Sequence, residues 1–161
     1  MSTVLNRKAW PEPLSAVVNR REKIQMPKFP GYPAGVPKGK LTSFYFTHAA
    51  DMMGAGVRAR IQACADNHAS HIVFGQRGLY VSWIKEALQH VILPTYPQYI
   101  PTPDNSPHDV FGPATRHCVL QYKQINHIVN REYQTEPDDI IGIMTIRALD
   151  WHMAYREARQ K

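Results

Sequence analysis

The chain has 161 residues, of which 43% are hydrophobic and 20% charged, enough for one modest core and an appendage but not for several domains. No apolar run approaches the roughly 20 residues that span a bilayer, and two cysteines, Cys64 and Cys118, exclude a disulfide framework. The net charge of +6 sits in residues 1–40, where eight Lys and Arg meet two Asp and Glu; the rest of the chain is neutral.

Residues 1–40 also hold six prolines and three glycines, centred on Pro27-Lys28-Phe29-Pro30-Gly31-Tyr32-Pro33, a composition that does not build a regular core. They read as an extended basic arm. Such an arm can be a solvated tail, can attract polyanions such as teichoic acid, lipopolysaccharide or nucleic acid, or can lie across neighbouring subunits with Trp10, Phe29 and Tyr32 as anchors in a partner's pockets. Proline lowers the entropy lost on docking, which favours assembly over polyanion attraction. Met1 to Trp10 lacks the apolar core of a secretory signal, so the expected location is a virion, a Sec-independent export route or the cytoplasm rather than ordinary Sec export.

Residues 41–71 read as a connecting segment that extends a neighbouring core. Leu41 to Phe46 suits a short strand or an extended apolar stretch, Gly54 and Gly56 interrupt the chain beyond it, and Val57 to Ala65 suits a short helix. His48, Asp51, Cys64, His68 and His71 form a loose group of possible ligands. Cys64 and His68 stand at the i, i+4 spacing that would share a helix face, although a buried cysteine near solvated histidines is the simpler reading.

Gly75 and Gly78 flank a turn, after which Val81, Ile84, Leu88 and Val91 recur at helical steps until Pro94. Leu93 to His108 then inserts five prolines and reads as an extended, mobile loop. Beyond it one phrase occurs twice, thirty positions apart: Asp109-Val110-Phe111-Gly112-Pro113-Ala114-Thr115 and Asp139-Ile140-Ile141-Gly142-Ile143-Met144-Thr145. Each copy reads as a helix start. Asp109 would close a turn on its own backbone over the apolar anchor Phe111, Gly112 is free to take the φ a turn demands, Pro113 suits the first helical position, and Thr115 could cap from inside the first turn. Val119, Tyr122 and Ile125 follow on one stripe with Cys118 beside it, a buried thiol by position; Ala148, Leu149 and Met153 follow the second copy.

With these blocks in order, the stretch from Ile72 to Asp150 resembles the peptidoglycan-binding-like domain of bacterial and phage cell-wall proteins. The family pattern is similar to Gly75 to Leu88, then Asp109 to Ile128, then Asp139 to Leu149, with Tyr122 in the aromatic slot and Ile128 in the closing apolar one. The resemblance implies a mainly α fold: a three-helix module over residues 72–155, behind the Pro-rich arm and followed by a basic tail, 156–161. It also implies a noncatalytic role in docking on peptidoglycan, without metal or cofactor. Three features depart from the pattern. Lys123 replaces the usual glutamine after the aromatic, and Asn130 to Asp138 is an insertion, as is Leu93 to His108.

The family motifs mark fold rather than ligand contacts, so the ligand candidates come from the residues themselves. Tyr80, Arg116, Lys123 and Arg147 are polar helix positions that could offer a flat ring and cations to a peptide stem or sugar. Two other functions remain open: a structural subunit of a phage tail, baseplate or contractile injection assembly, which the arm suits, and a small wall hydrolase. The hydrolase lacks support, because the chain holds no carboxylate pair, G-x-S-x-G or H-E-x-x-H, and a Cys64 nucleophile would need a histidine base and oxyanion donors around it.

Overall fold

A computed structural model describes residues 26–54, 56–92 and 108–161; Trp10, Pro94 and nearly all of the expected loop Leu93 to His108 lie outside them. The architecture is mainly α, with five helices and no strand among the described residues: α1 (Ala50–Met53), α2 (Val57–Asp66), α3 (Leu79–Ile92), α4 (Pro113–Ile125) and α5 (Ile143–Arg159). A π-helical turn, Tyr45–Ala49, runs into α1, and a 3-10 turn, His68–Ser70, follows α2.

The apolar stripes explain the packing. Val81, Ile84, Leu88 and Val91 of α3, Cys118, Val119 and Tyr122 of α4, and Ala148, Leu149 and Met153 of α5 are all buried, and Leu41, Phe46, Val57, Ile61 and Cys64 join the same core from the preceding segment. Helix α5 lies against both α2 and α3, and α3 against α4. None of these helices is long and apolar enough to cross a membrane, among the described residues.

The repeated phrase folds the same way twice. Phe111 and Ile141 are 0% and 1% exposed, and each forms two backbone hydrogen bonds with the segment before α3. The Phe111 amide donates to the Gln76 carbonyl and Gly75 donates back, both at 2.9 Å, while Ile141 and Ile72 exchange a pair at 2.9 Å. Gly112 and Gly142 then open α4 and α5 with extended dihedrals (φ −91°, ψ −175° and φ −115°, ψ −169°). Neither glycine is used for an unusual φ, contrary to the expectation for Gly112. Glycine is needed at 142 for close approach: a Cβ there would stand 3.0 Å from His71 Nε2.

Two side-chain expectations are corrected in the same turns. Thr115 does not cap α4; its buried hydroxyl makes no hydrogen bond within the structure, and no side chain caps that helix. The Asp109 carboxylate faces Arg77 at 3.7 Å, while its carbonyl accepts from the Gly78 amide at 2.9 Å.

Of the two readings for Leu41 to Phe46, the strand is absent, because the segment's amides are claimed from afar, and Leu41 and Phe46 instead pack into the core. Thr42 and Ser43 donate to the Asp150 carboxylate, and Phe44 and Tyr45 to that of Glu157, at 2.8–2.9 Å. Two carboxylates on α5 thus satisfy the donors that precede the π turn, as a cap would. The basic tail is not separate either: with no breaker after Asp150, α5 continues to Arg159, whose guanidinium lies over the Tyr155 ring.

Residues 26–40 have no helix or strand, yet they lie on the core. Met26 is buried, the Phe29 amide donates to Asn126 Oδ1 at 2.7 Å, the Phe29 ring meets Trp151 edge-on at 5.6 Å, and the Tyr32 hydroxyl donates to the Met144 carbonyl. Phe29 and Tyr32, expected in a partner's pockets, are placed against this chain's own helices. Burial raises the Tyr32 phenol well above its ordinary pKa, so it stays a donor.

Gly78 is one of seven described glycines with positive φ; its φ is +152°, and a Cβ there would run into the Tyr80 ring. Gly78→Ala is expected to destabilise the chain by about 1–3 kcal/mol, the range for a residue forced into such a region. A chemical-denaturation midpoint equal to that of the unchanged chain would show that the turn relaxes freely.

Candidate functional site: a cleft at the start of α5

A cleft of about 210 Å³ opens where α4 ends and α5 begins. It is lined by His68 and His71 from the segment after α2, by Lys123 from α4, by the aliphatic Ile128, Ile140, Ile143 and Met144, and by Asn130, Tyr133, Gln134 and Asp138 of the insertion. Tyr133 stands at the rim, 65% exposed.

Lys123 and the segment 130–138 meet here. Lys123 is only 6% exposed; its ammonium donates to Asp138 Oδ1 and, at 3.1 Å, to the Ile140 carbonyl. Asp138 also accepts from the Ile140 amide at 3.1 Å and from Gln134. A lysine at this position and an acid in the insertion therefore form one ion pair that anchors the inserted segment to α4. Burial works to raise the Asp138 pKa, but the Lys123 ammonium, the Ile140 amide and Gln134 together hold it below the usual carboxylate range, so the pair is charged at neutral pH.

His68 Nδ1 and His71 Nε2 lie 3.3 Å apart. Burial, with His68 and Lys123 adding to it against the pull of Asp138, lowers the His71 pKa below the ordinary imidazole value. This favours an uncharged His71, whose Nε2 donates to or accepts from His68 according to its tautomer.

The four ligand candidates are not brought together. Lys123 lines the cleft. Arg147 is buried and holds α5 to α2 and to residue 39, donating to the Ala65 carbonyl (3.1 Å), the Gly39 carbonyl (2.8 Å) and Asp66 (2.9 Å). Arg116 pairs with Asp139 and lies over Phe74. Tyr80 is half-buried beneath the Arg60 guanidinium. Lys123 and Arg147 thus depart from the exposed helix face on which they were expected. The cleft's Asn130, Tyr133, Gln134 and Asp138 carry no individual signal in the sequence; the insertion itself is their signal.

The cysteine and histidine group also separates. Cys64 is fully buried, its thiol donating to the Ile141 carbonyl at 3.3 Å, while His68 is exposed beyond the end of α2. Burial pushes the Cys64 thiol up to about 12, the reverse of what a thiolate nucleophile needs. Cys118 is buried and pushed up to about 12 for the same reason. Among the described residues no three His, Cys, Asp or Glu side chains gather to hold a metal. No family model, curated protein or solved structure matches the chain.

Proposed function

We propose that this chain is a noncatalytic binding protein whose three-helix, peptidoglycan-binding-like module, formed around α3, α4 and α5, docks on bacterial cell-wall peptidoglycan. The observation that carries the reading is the cleft: it opens between the two helices that the repeated phrase starts, and joins an aliphatic wall to fixed polar groups, the usual make-up of a small-ligand site. One such cleft binds weakly, so useful adhesion comes from many copies or from attachment to something larger.

Cosedimentation with purified sacculi tests this. Salt-resistant binding by the full chain, reduced severalfold by Tyr133→Ala at the exposed rim, is the expected result. The comparison that removes the basic residues should start at Met26, because Met26, Phe29 and Tyr32 are part of the packed structure. Binding that disappears with salt or with residues 1–25 would reduce the interaction to charge attraction.

A second reading, a structural subunit of a phage tail, baseplate or contractile injection assembly, draws on exposed apolar side chains on or beside α1: Phe44, Met52 (84% exposed) and Leu79. Such side chains suit protein contacts. No sedimentation with sacculi under any condition would favour it.

A further inference from the structure

Within the cleft, some hydrogen-bonding capacity is spent and some is spare. The Lys123 ammonium has three donors, of which Asp138 and the Ile140 carbonyl take two. Among the described residues, the outer ring nitrogens, His68 Nε2 and His71 Nδ1, make no hydrogen bond. The Lys123 and Asp138 charges cancel. What remains is an imidazole pair that can take up a proton, a spare ammonium donor that is almost wholly buried, and an aliphatic wall.

The cleft volume of about 210 Å³ equals roughly seven waters at about 30 Å³ each, which is the bulk of a dipeptide rather than of a single small ion. We infer that the cleft takes the free carboxylate end of a short peptide, with the carboxylate on the protonated His68–His71 pair and Lys123 and the terminal side chain against Ile140, Ile143 and Met144. This names the group recognised under the wall-binding reading, and the choice of a peptide rests on that reading.

The pH dependence comes from the groups that face His71: His68 from the turn after α2, Lys123 from α4, Asp138 from the insertion, and the Gly142 backbone at the start of α5. In the free cleft, burial, His68 and the Lys123 ammonium favour neutral His71 against the pull of Asp138. An arriving carboxylate adds a negative charge that favours the imidazolium, so binding takes up a proton and tightens as pH falls below the ordinary imidazole range. Asp138, held low, stays ionised through that window.

The test is calorimetry with the full chain, using alanyl-alanine, its C-terminal amide and inorganic phosphate at pH 7.5 and 5.5, with side-chain NMR of the two histidines. The free acid is expected to bind about tenfold more tightly at the lower pH and about tenfold more tightly than the amide, the equivalent of about one pKa unit of linkage. His71→Gln, which removes the ring whose proton uptake is linked to binding, should remove the pH dependence, and His68→Gln, at an exposed position, should fold normally and weaken binding of the acid.

Equal binding of acid and amide, an unchanged pH profile in His71→Gln, or binding of phosphate but not of the dipeptide would each overturn the inference. Sacculus binding that persists without dipeptide binding would overturn it alone and leave the wall-binding reading standing. Loss of sacculus binding with dipeptide binding intact would remove that reading and keep the carboxylate site.

Discussion

Asp150→Ala is expected to lower unfolding stability by about 3–5 kcal/mol, because it removes three charge-assisted hydrogen bonds and leaves two backbone amides unpaired at about 1–3 kcal/mol each. The Asp150 carboxylate is buried on α5, accepting the Thr42 amide and hydroxyl on one oxygen and the Ser43 amide on the other, all at 2.9 Å. Ser43 is itself fully buried, so its orphaned amide could not turn to water, and each unmet buried donor costs about 1–3 kcal/mol. Asp150→Asn keeps one acceptor oxygen and should lose roughly half as much. Glu157→Ala, which frees the amides of exposed Phe44 and of Tyr45, should cost less than Asp150→Ala because the Phe44 amide can be solvated. Urea unfolding of the three variants checks the order; a loss below about 1 kcal/mol for Asp150→Ala would mean that these contacts do not hold the 41–46 segment to α5.

This contact also shows where local pattern stops being informative. Helices α3, α4 and α5 were legible because their apolar residues recur at helical steps and their starts carry glycine or proline. Leu41 to Phe46 is apolar and aromatic enough to suit a strand or an extended stretch, but what decides its backbone is a pair of carboxylates more than a hundred residues away. Nothing near the segment encodes that. The same holds for residues 26–40, whose composition denies them a regular element, as found, yet whose packing depends on Asn126, Trp151 and His152.

The cleft was legible only in outline. Lys123 and the insertion each stood out against the family pattern, but that they pair with one another is a property of the fold. Arg147 could not be distinguished from a solvated helix cation by spacing alone, since the groups that bury it, the end of α2 and the Gly39 carbonyl, come from other parts of the chain. His68 and His71 stood out as possible partners of Cys64, which the end of α2 at Asp66 places in the core while the histidines remain outside.

His152 carries the second large prediction. Its Nε2 lies 2.8 Å from the Pro27 carbonyl, and its Nδ1 lies 2.9 Å from the Tyr122 hydroxyl and 3.1 Å from the Ala148 carbonyl; with the proton on Nε2, the side of the shorter carbonyl contact, Nδ1 accepts from Tyr122. This neutral tautomer ties residues 26–40 to α4 and α5 inside the core. His152→Ala would leave the Pro27 carbonyl and the fully buried Tyr122 hydroxyl without partners and open space beside Met26, a loss of about 3–4 kcal/mol. The Phe29 amide, bonded to Asn126, should lose hydrogen-exchange protection with it.

Acid reaches the same bond without a mutation. Burial lowers the His152 pKa, against the pull of the Pro27 and Ala148 carbonyls, so the unfolded chain takes up a proton at a higher pH than the folded one does. The stability this histidine supports is therefore complete above about pH 6.5 and declines as pH falls from there towards the depressed folded value. His71 and His90, also lowered chiefly by burial, add to the same slope. Urea midpoints at pH 7.5, 6.5 and 5.5 should fall in that order, and His152→Gln, which keeps a donor for Pro27 but cannot take up the proton, should flatten the dependence. A variant with the full acid slope would assign the effect to His71 and His90 instead and leave the Pro27 contact pH-neutral.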